Sequence, residues 1–368
     1  MTAVLRWRYG TVTKLRRSWR GCAEVEVSIV KRSGDDRETA RALAYTEMVG
    51  EPREGDRVLL NCNALAKGLG TGGYALIVAI PDRLPEDVDG PGHIVKGRYT
   101  PQQAMVMAVD EDDSPHREAM RAEDIGGMPV VIADLHSALP AIVAGIHADQ
   151  PDARVAYVMT DGGALPAWFS LTLDGLSDAL SGVVTVGQAF GGDHEATNIH
   201  TGLIAARRVC EADIAIVAQG PGNLGTGTTW GFSGTVCGDA VNAVAALAGT
   251  PIGSLRISDA DARERHVGVS HHSLTAYGRV ALASADLPVP QGLDPALAVS
   301  VRQQLRPLSA MHRIVDVGVG GLVEAMRDLP VKLSTMGRTL DEDLPYFLAC
   351  AAAGRHAASL LTTLRSRA

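Results

Sequence analysis

Short stretches of alternating apolar and polar residues fill the first eighty positions. In AEVEVSIV, for example, Val25, Val27 and Ile29 alternate with polar residues, which is the period-two pattern of a half-buried strand. Similar stretches, separated by Gly, Asp and Pro turns, are GTVTKL, CAEVEVSIV, ARALAYTEMV, DRVLLNCNAL and GYALIVAI. The pattern predicts a small, β-rich, barrel-like N-terminal domain over residues 1–80.

The pattern changes after residues 81–93, PDRLPEDVDGPGH, which are rich in proline and acidic residues and are predicted to form a linker. Beyond it, continuous apolar runs alternate with Ala-rich helical segments. The runs lie at 129–134, 154–161, 182–187, 212–219, 251–258 and 312–319. Buried strands separated by helices indicate βαβ units. Residues 94–368 are therefore predicted to form an α/β domain with a largely parallel, Rossmann-like sheet and helices on both faces.

Composition agrees with this division and narrows the class of partner. A chain of 368 residues is long enough for two domains, and with only 4% aromatic residues its core must consist mainly of Ala, Val, Leu and Ile. The net charge of −8 argues against general binding to nucleic acid or to anionic membranes.

The first twenty residues depart from this acidic balance, because they are basic and contain Trp7, Tyr9 and Trp19. Such a strand either binds single-stranded nucleic acid or protects a sheet edge with its aromatic residues pointing inward. We favour the second interpretation.

The cysteines and the N-terminus bear on the compartment. Five widely spaced cysteines without a CxxC pair indicate reduced thiols. The N-terminus has arginines where a signal peptide needs an apolar core, and no apolar run reaches the length of about eighteen residues that a membrane span requires. We expect a cytoplasmic protein without a membrane span.

Polar residues follow several of the predicted strands. Ligands of open parallel sheets bind beyond the carboxyl ends of the strands, so side chains at these positions are expected to converge. Capping of the following helix is the alternative role of each aspartate. Carboxylates and imidazoles together suit Zn²⁺, Mn²⁺ or Fe²⁺. The predicted metal ligands are Asp134, His136, Asp193 and His194, and the predicted catalytic residues are Asp161, His271 and His272.

A glycine-rich loop, GPGNLGTGT at 220–228, follows the fourth run of the second domain. Its G-x-G-x-x-G spacing lets backbone N–H groups approach an anion. An NAD site is disfavoured because the first acidic residue after the following strand is Asp259, and the closer Asp239 falls in a predicted helix. A phosphate or carboxylate cradle and a simple tight turn remain as alternatives. Arg338 either pairs with the same anion or lies on the surface. The predicted anion-binding residues are Gly220, Gly222, Gly225, Thr226, Gly227, Thr228 and Arg338.

Several separated blocks resemble one bacterial family, domain of unknown function 3866 (DUF3866). The blocks are RYTPQQ at 98–103, FGGDHEATN at 190–198, GPGNLGTGT at 220–228, SHHSLTA at 270–276 and STMGR at 334–338. The resemblance extends through nearly the whole chain, but it implies no reaction, cofactor or catalytic residue.

Together these features predict a metal-dependent hydrolase that acts on a phosphorylated or nucleotide-like small molecule, with a metal-bound water as the nucleophile. Two alternatives remain open. One is a non-catalytic sensor that binds a small anionic metabolite, and the other is a structural homo-oligomer whose Ala-rich C-terminal helix packs across a dimer.

Overall fold

The computed structural model of the chain describes residues 5–30, 37–70 and 72–365. The described residues fall into two compact units, one within 1–91 and 97–105 and the other within 92–96 and 106–368. The linker at 81–93 remains a prediction, since the segment 97–105 returns to the first unit.

The first unit is a closed five-stranded barrel, as the alternating pattern predicts. Its strands follow one another around the barrel in the order β1-β2-β3-β5-β4, and β4 pairs with β1 to close it. Val25, Val27 and Leu60 are fully buried in its interior. Its elements are β1 (Trp7–Trp19), β2 (Cys22–Val30), β3 (Arg37–Tyr45), α1 (Thr46–Val49), β4 (Arg57–Asn61), α2 (Asn63–Lys67) and β5 (Tyr74–Ala79).

Two aromatic residues of β1 face outward, which contradicts the expectation that they point inward. Trp7 is 43% exposed and Tyr9 is 51% exposed. They lie two residues apart and therefore on the same face, while Gly10 and Val12 occupy the buried positions. The Arg57 guanidinium lies over the Tyr9 ring, 5.1 Å from its centroid.

The second unit is built on an eight-stranded parallel sheet, which confirms the predicted α/β class. The strand order is β11-β10-β9-β12-β8-β13-β16-β17. The strands of this unit and the short strands around it are β6 (Ile94–Lys96), β7 (Ala104–Val106), β8 (Pro129–Ala133), β9 (Val155–Thr160), β10 (Gly182–Thr185), β11 (His194–Glu195), β12 (Ile214–Gln219), β13 (Thr250–Gly253), β14 (Ile257–Ser258), β15 (Gly268–Val269), β16 (Asp286–Pro290), β17 (Arg313–Val317), β18 (Ser334–Thr335) and β19 (Arg338–Thr339).

Helices cover both faces of this sheet, because alternate residues of the buried strands point to opposite sides. Val130 and Ile132 pack with α5, α6 and α8, whereas Val131 and Ala133 pack with α3, α9 and α10. The helices are α3 (Leu139–Asp149), α4 (Leu171–Gly175), α5 (Ile199–Arg208), α6 (Val236–Ala246), α7 (His271–Thr275), α8 (Pro295–Leu305), α9 (Leu322–Arg327) and α10 (Leu344–Arg365). Among the described residues, no helix has the length and apolar content needed to cross a bilayer.

One sheet strand without a counterpart in the predicted runs is β16, whose sequence is DLPVP. Prolines lack the N–H that a sheet ladder needs, so this stretch does not look like a central strand. In the structure, β16 forms five pairs with β17 but only one pair with β13, between Ile252 and Asp286. Pro288 and Pro290 lie two residues apart, so their missing donors face the same neighbouring strand.

Candidate functional site

Three histidines meet in the second unit near the carboxyl end of β8. His266, His271 and His272 each offer a ring nitrogen, and these nitrogens all lie within 4.8 Å of one another. The ring centroids of His271 and His272 are 4.4 Å apart, and each lies 5.0 Å from the centroid of His266. His266 and His272 are buried and His271 is half-buried. This histidine cluster is the only group of three metal-ligating side chains at this spacing within the described ranges.

A turn and a short helix bring these histidines together. His266 ends the helical turn Glu264–His266, and β15 then leads to Ser270, the N-cap of α7. The His272 backbone N–H donates to Ser270 Oγ, and the same oxygen lies 2.7 Å from His266 Nδ1. One buried hydroxyl therefore fixes both the start of the helix and the orientation of an imidazole from the preceding turn.

Asp134 lies directly after β8 and faces the cluster. Its Oδ2 is 3.6 Å from His272 Nδ1, and the carboxylate is buried. Burial acts to raise the pKa of Asp134, but His272 and the Arg256 guanidinium outweigh it and lower the pKa below its usual range. The Phe232 ring stacks on His272 with a centroid distance of 3.9 Å, which closes the cluster on that side.

Several buried polar atoms of this group have no hydrogen-bond partner in the part of the chain that the structure describes. They are Asp134 Oδ2, His271 Nε2 and His272 Nδ1. A buried polar atom without a partner costs about 1–3 kcal/mol. Asp134 Oδ2 and His272 Nδ1 face each other at 3.6 Å, so a small movement would pair them, whereas His271 Nε2 is left for a partner from outside the chain.

Burial keeps the imidazoles of His266 and His271 neutral. Loss of hydration lowers the pKa of His266 to about 3, and the nearby Arg256 and Arg263 guanidinium groups add to this effect. Loss of hydration also lowers the pKa of His271 to about 4, and repulsion from His272 and Arg265 contributes. A neutral imidazole has a lone pair free on one ring nitrogen, as a metal ligand needs.

Arginines and aspartates form an ion-pair network behind the cluster. Asp261 is buried and accepts from the guanidinium groups of Arg256 and Arg263, at 3.2 Å and 2.8 Å. Arg338, predicted to bind an anion, instead donates to Asp343 at 2.8 Å and lies 3.5 Å from Asp261. The Arg338 guanidinium therefore already has two carboxylate partners within the chain.

His136, a predicted metal ligand, lies after β8 but has both ring nitrogens occupied. Its Nδ1 is 3.1 Å from the Tyr157 hydroxyl and its Nε2 is 2.7 Å from Ser170 Oγ. The predicted catalytic residue Asp161 accepts from the backbone N–H of Gln188 at 2.8 Å. Both side chains thus hold neighbouring segments together.

Asp193 and His194 lie far from Asp134. His194 belongs to the edge strand β11, and Asp193 Oδ2 accepts from the backbone N–H of Val183 in β10. Three strand spacings, roughly 14 Å, separate β10 from β8. Val183 is in register with Val131, three residues before Asp134, which adds a displacement of roughly 10 Å along the strands. The structure therefore does not assemble the four predicted metal ligands around one point.

The glycine-rich loop lies next to the cluster but does not lead directly into a helix. After Gly220 the chain continues through exposed residues to Phe232, and α6 begins only at Val236. The hydroxyls of Thr226 and Thr228 lie 3.2 Å apart and both bond to Gly231 within the loop. These hydroxyls have partners inside the loop, and the N-terminus of a helix is not behind them.

Sequence reasoning did not select His266. The signal that was available is local, since three of the chain's 11 histidines fall within the seven residues 266–272. Their position after a strand predicts a catalytic role for His271 and His272, whereas the structure joins them to His266 and Asp134 in one group.

Comparison with known proteins matches residues 41–354 to the family DUF3866, described as a protein of unknown function. The chain belongs to the DUF3866 family. The matched region begins in β3 of the barrel and ends within α10, so it includes every residue of the histidine cluster. Neither curated proteins nor solved structures match the chain.

Proposed function

We propose that His266, His271 and His272 bind a divalent transition metal ion, and that this ion serves the hydrolysis of phosphoesters. The observation that carries the proposal is the convergence of three imidazoles whose ring nitrogens lie within 4.8 Å of one another, with His271 Nε2 buried and without a partner. Imidazole nitrogen suits Zn²⁺ and other first-row divalent ions. Three protein ligands leave further coordination positions open for water or substrate.

Other buried histidines of the same chain provide an internal comparison. His136 has a partner on each ring nitrogen, and so does His312, which lies 3.1 Å from the Ala285 N–H nitrogen and 2.7 Å from the Tyr277 carbonyl oxygen. These two buried histidines, which support the fold, thus have both ring nitrogens hydrogen-bonded. The ring nitrogen of His271 that lacks a partner, Nε2, fits a ligand better than a structural role.

The spacing of the donors fits a metal after a small adjustment. A tetrahedral ion with ligands at about 2.0–2.1 Å places neighbouring nitrogens about 3.3 Å apart. The donor atoms of the cluster lie within 4.8 Å of one another, so small side-chain rotations close the difference.

Ser270 and Asp134 are positioned to orient two of the ligands. Metal-bound histidines commonly use the second ring nitrogen to bond a carboxylate or another acceptor, which fixes the ring. Ser270 Oγ occupies that position for His266 Nδ1, and Asp134 Oδ2 occupies it for His272 Nδ1. We therefore assign Asp134 as an orienting carboxylate rather than a direct ligand.

A divalent ion at this position would lower the pKa of a bound water to near neutrality. Hydrolysis then forms a bond from the water oxygen to phosphorus and breaks the ester P–O bond. The water proton ends on the departing alcohol, so no oxidant or reductant is needed. A small phosphorylated molecule is the expected substrate, and the homodimer and the cytoplasmic location stay predictions.

The test is metal analysis and activity of the purified full chain. We expect about one bound Zn²⁺, Mn²⁺ or Fe²⁺ per chain and hydrolysis of p-nitrophenyl phosphate. His266→Ala and His271→Ala should lose both metal and activity. Asp134→Asn should weaken metal binding roughly 10- to 100-fold, as removal of an orienting group does. His200→Ala is the matched control, because His200 is exposed on α5.

Different failures have different meanings. A full chain that takes up no metal after incubation with these ions, and whose stability the ions do not change, would refute the metal centre. Metal binding that depends on the three histidines, without hydrolysis of any phosphoester, would favour the sensor. A loss of metal in Asp134→Asn as complete as in His266→Ala would make Asp134 a direct ligand.

A further inference from the structure

Two arginines beside the histidine cluster have no acidic partner. Arg265 and Arg279 are exposed, and within the described ranges no carboxylate forms a salt bridge with either. In contrast, Arg256 and Arg263 share Asp261. The two exposed guanidinium groups thus keep their full charge available for an external anion.

Both arginines lie against the loop that ends at Phe232. The Arg265 guanidinium lies close to Gly227, since a Cβ added at Gly227 would be 3.8 Å from Arg265 Nη2. The Arg279 guanidinium lies over the Trp230 indole at 5.9 Å from the centroid. Trp230 is 56% exposed, so the indole presents surface to solvent beside a cation.

A cleft of about 500 Å³ lies beside Arg279 and reaches His271 of the histidine cluster, and Trp230 and Arg265 belong to the surface next to it. His271, Thr229 and Arg279 line it, together with apolar residues that include Leu274 and Leu308. This volume falls within the usual range for small-molecule sites, roughly 300–1,000 Å³. Arg279 lies on the π-helical turn Ala276–Val280 that continues α7, and such turns occur frequently at functional sites.

We propose that this cleft and the loop surface beside it bind a small molecule carrying both a phosphate and a planar ring, with Arg265 and Arg279 on the phosphate and Trp230 against the ring. Two guanidinium groups next to a divalent cation match the double negative charge of a phosphate monoester better than the single charge of a carboxylate. The indole offers a flat apolar face on which a heterocycle stacks. A nucleoside monophosphate has both features.

This site deepens the proposed function, since the phosphate would lie beside the metal that His271 helps to hold. The residues proposed to bind the anion also differ from those predicted from the sequence. The hydroxyls of Thr226 and Thr228 are used inside the loop, and Arg338 is bound to Asp343. Binding of the anion is assigned here to side chains that remain free for it.

The test uses calorimetric titration of the full chain with adenosine 5′-monophosphate, adenosine and inorganic phosphate, with and without bound metal. Arg265→Gln and Arg279→Gln should each weaken binding of the monophosphate roughly 10- to 100-fold, because each removes a charge-assisted hydrogen bond. Trp230→Ala should weaken binding of the monophosphate but not of inorganic phosphate. Arg121→Gln is the control, since Arg121 is exposed and paired with Glu118. Circular dichroism of each variant checks that it is folded.

The outcomes separate this proposal from the metal proposal. Metal content should be unchanged in the two arginine variants. Arginine-dependent binding of the monophosphate to a chain that takes up no metal would uphold the site while the hydrolase fails. Hydrolysis of the monophosphate at the same rate in the wild type and in both arginine variants, or monophosphate binding that no variant changes, would overturn the site.

Discussion

Ser270 links the stability of the second unit to the binding of metal, and comparing Ser270→Ala with a matched N-cap variant separates these two roles. The Ser270 hydroxyl caps α7 through the His272 N–H and lies 2.7 Å from His266 Nδ1, with its side chain fully buried. Loss of an N-cap costs about 1 kcal/mol. Leaving His266 Nδ1 buried without a partner costs about 1–3 kcal/mol. The free energy of unfolding should therefore fall by about 2–4 kcal/mol.

Metal affinity should fall as well, because His266 would lose the group that fixes its ring. Loss of such an orienting partner typically weakens binding about 10- to 100-fold, or roughly 1.4–2.7 kcal/mol. Ser270→Thr keeps the hydroxyl and should retain most of the affinity. The assay is a competition titration against a chelator of known affinity, combined with urea unfolding of the metal-free protein.

The chain contains a matched control in Ser170. Its hydroxyl accepts from the Leu173 N–H as the N-cap of α4 and lies 2.7 Å from Nε2 of His136. Ser170→Ala should therefore cost a similar amount of stability without changing metal affinity. If Ser270→Ala and Ser170→Ala lower stability alike and neither changes the affinity, the orienting role of Ser270 is refuted. If only Ser170→Ala weakens metal binding, the ion lies at His136 instead.

Three further predictions concern stability. Burial would raise the pKa of Asp286, but hydrogen bonds from His356 and Arg313 outweigh it and lower the pKa to about 2. The carboxylate therefore contributes about 2 kcal/mol to the free energy of unfolding above pH 4, and this contribution is lost as pH falls toward 2. Urea unfolding between pH 7 and 2.5 should show this loss in the wild type and not in Asp286→Asn. Gly145→Ala should lower the free energy of unfolding by about 1–3 kcal/mol, because the new Cβ would overlap the carbonyl oxygen of Ala351 in α10. An unchanged urea midpoint of unfolding would contradict this close contact between the two helices. A fragment starting at Gly92 should unfold cooperatively. A fragment starting at Gly97 should have a lower melting temperature, because it lacks the buried Lys96 ammonium that donates to two backbone carbonyls. Aggregation of the first fragment, with a stable full chain, would refute independent folding.

The fold was predictable because its pattern is local. Alternation in the first eighty residues depends only on which face of a strand is buried, and the barrel follows from five such strands. Continuous apolar runs likewise indicate strands that are buried on both faces. The exceptions are β16, in which Pro288 and Pro290 hide the strand pattern, and the edge strand β11, which has only two residues. The outward position of Trp7 and Tyr9 was also not predictable, because alternation alone does not say which of two apolar sets faces the interior.

The site was only partly predictable because its assembly depends on strand order. Candidates were grouped as though β8, β9 and β10 were neighbours in the sheet, as consecutive strands commonly are. Instead β12 lies between β9 and β8. This insertion moves Asp193 away from Asp134 and brings the loop after β12 beside Asp134, so that Phe232 stacks on His272.

The assembly of the histidine cluster does not depend on strand order, because its three members are close in sequence. Residues 266–272 need only one turn, one short strand and one helix start to bring their imidazoles together, whatever the order of the large strands. Asp134 is the single member that the sheet must deliver, and it does so from β8, between β12 and β13. A local set of ligands with one distant orienting carboxylate therefore depends on the placement of fewer strands than four ligands from separate strands do. This explains why histidines close in sequence, rather than side chains from the ends of several strands, form the candidate metal centre.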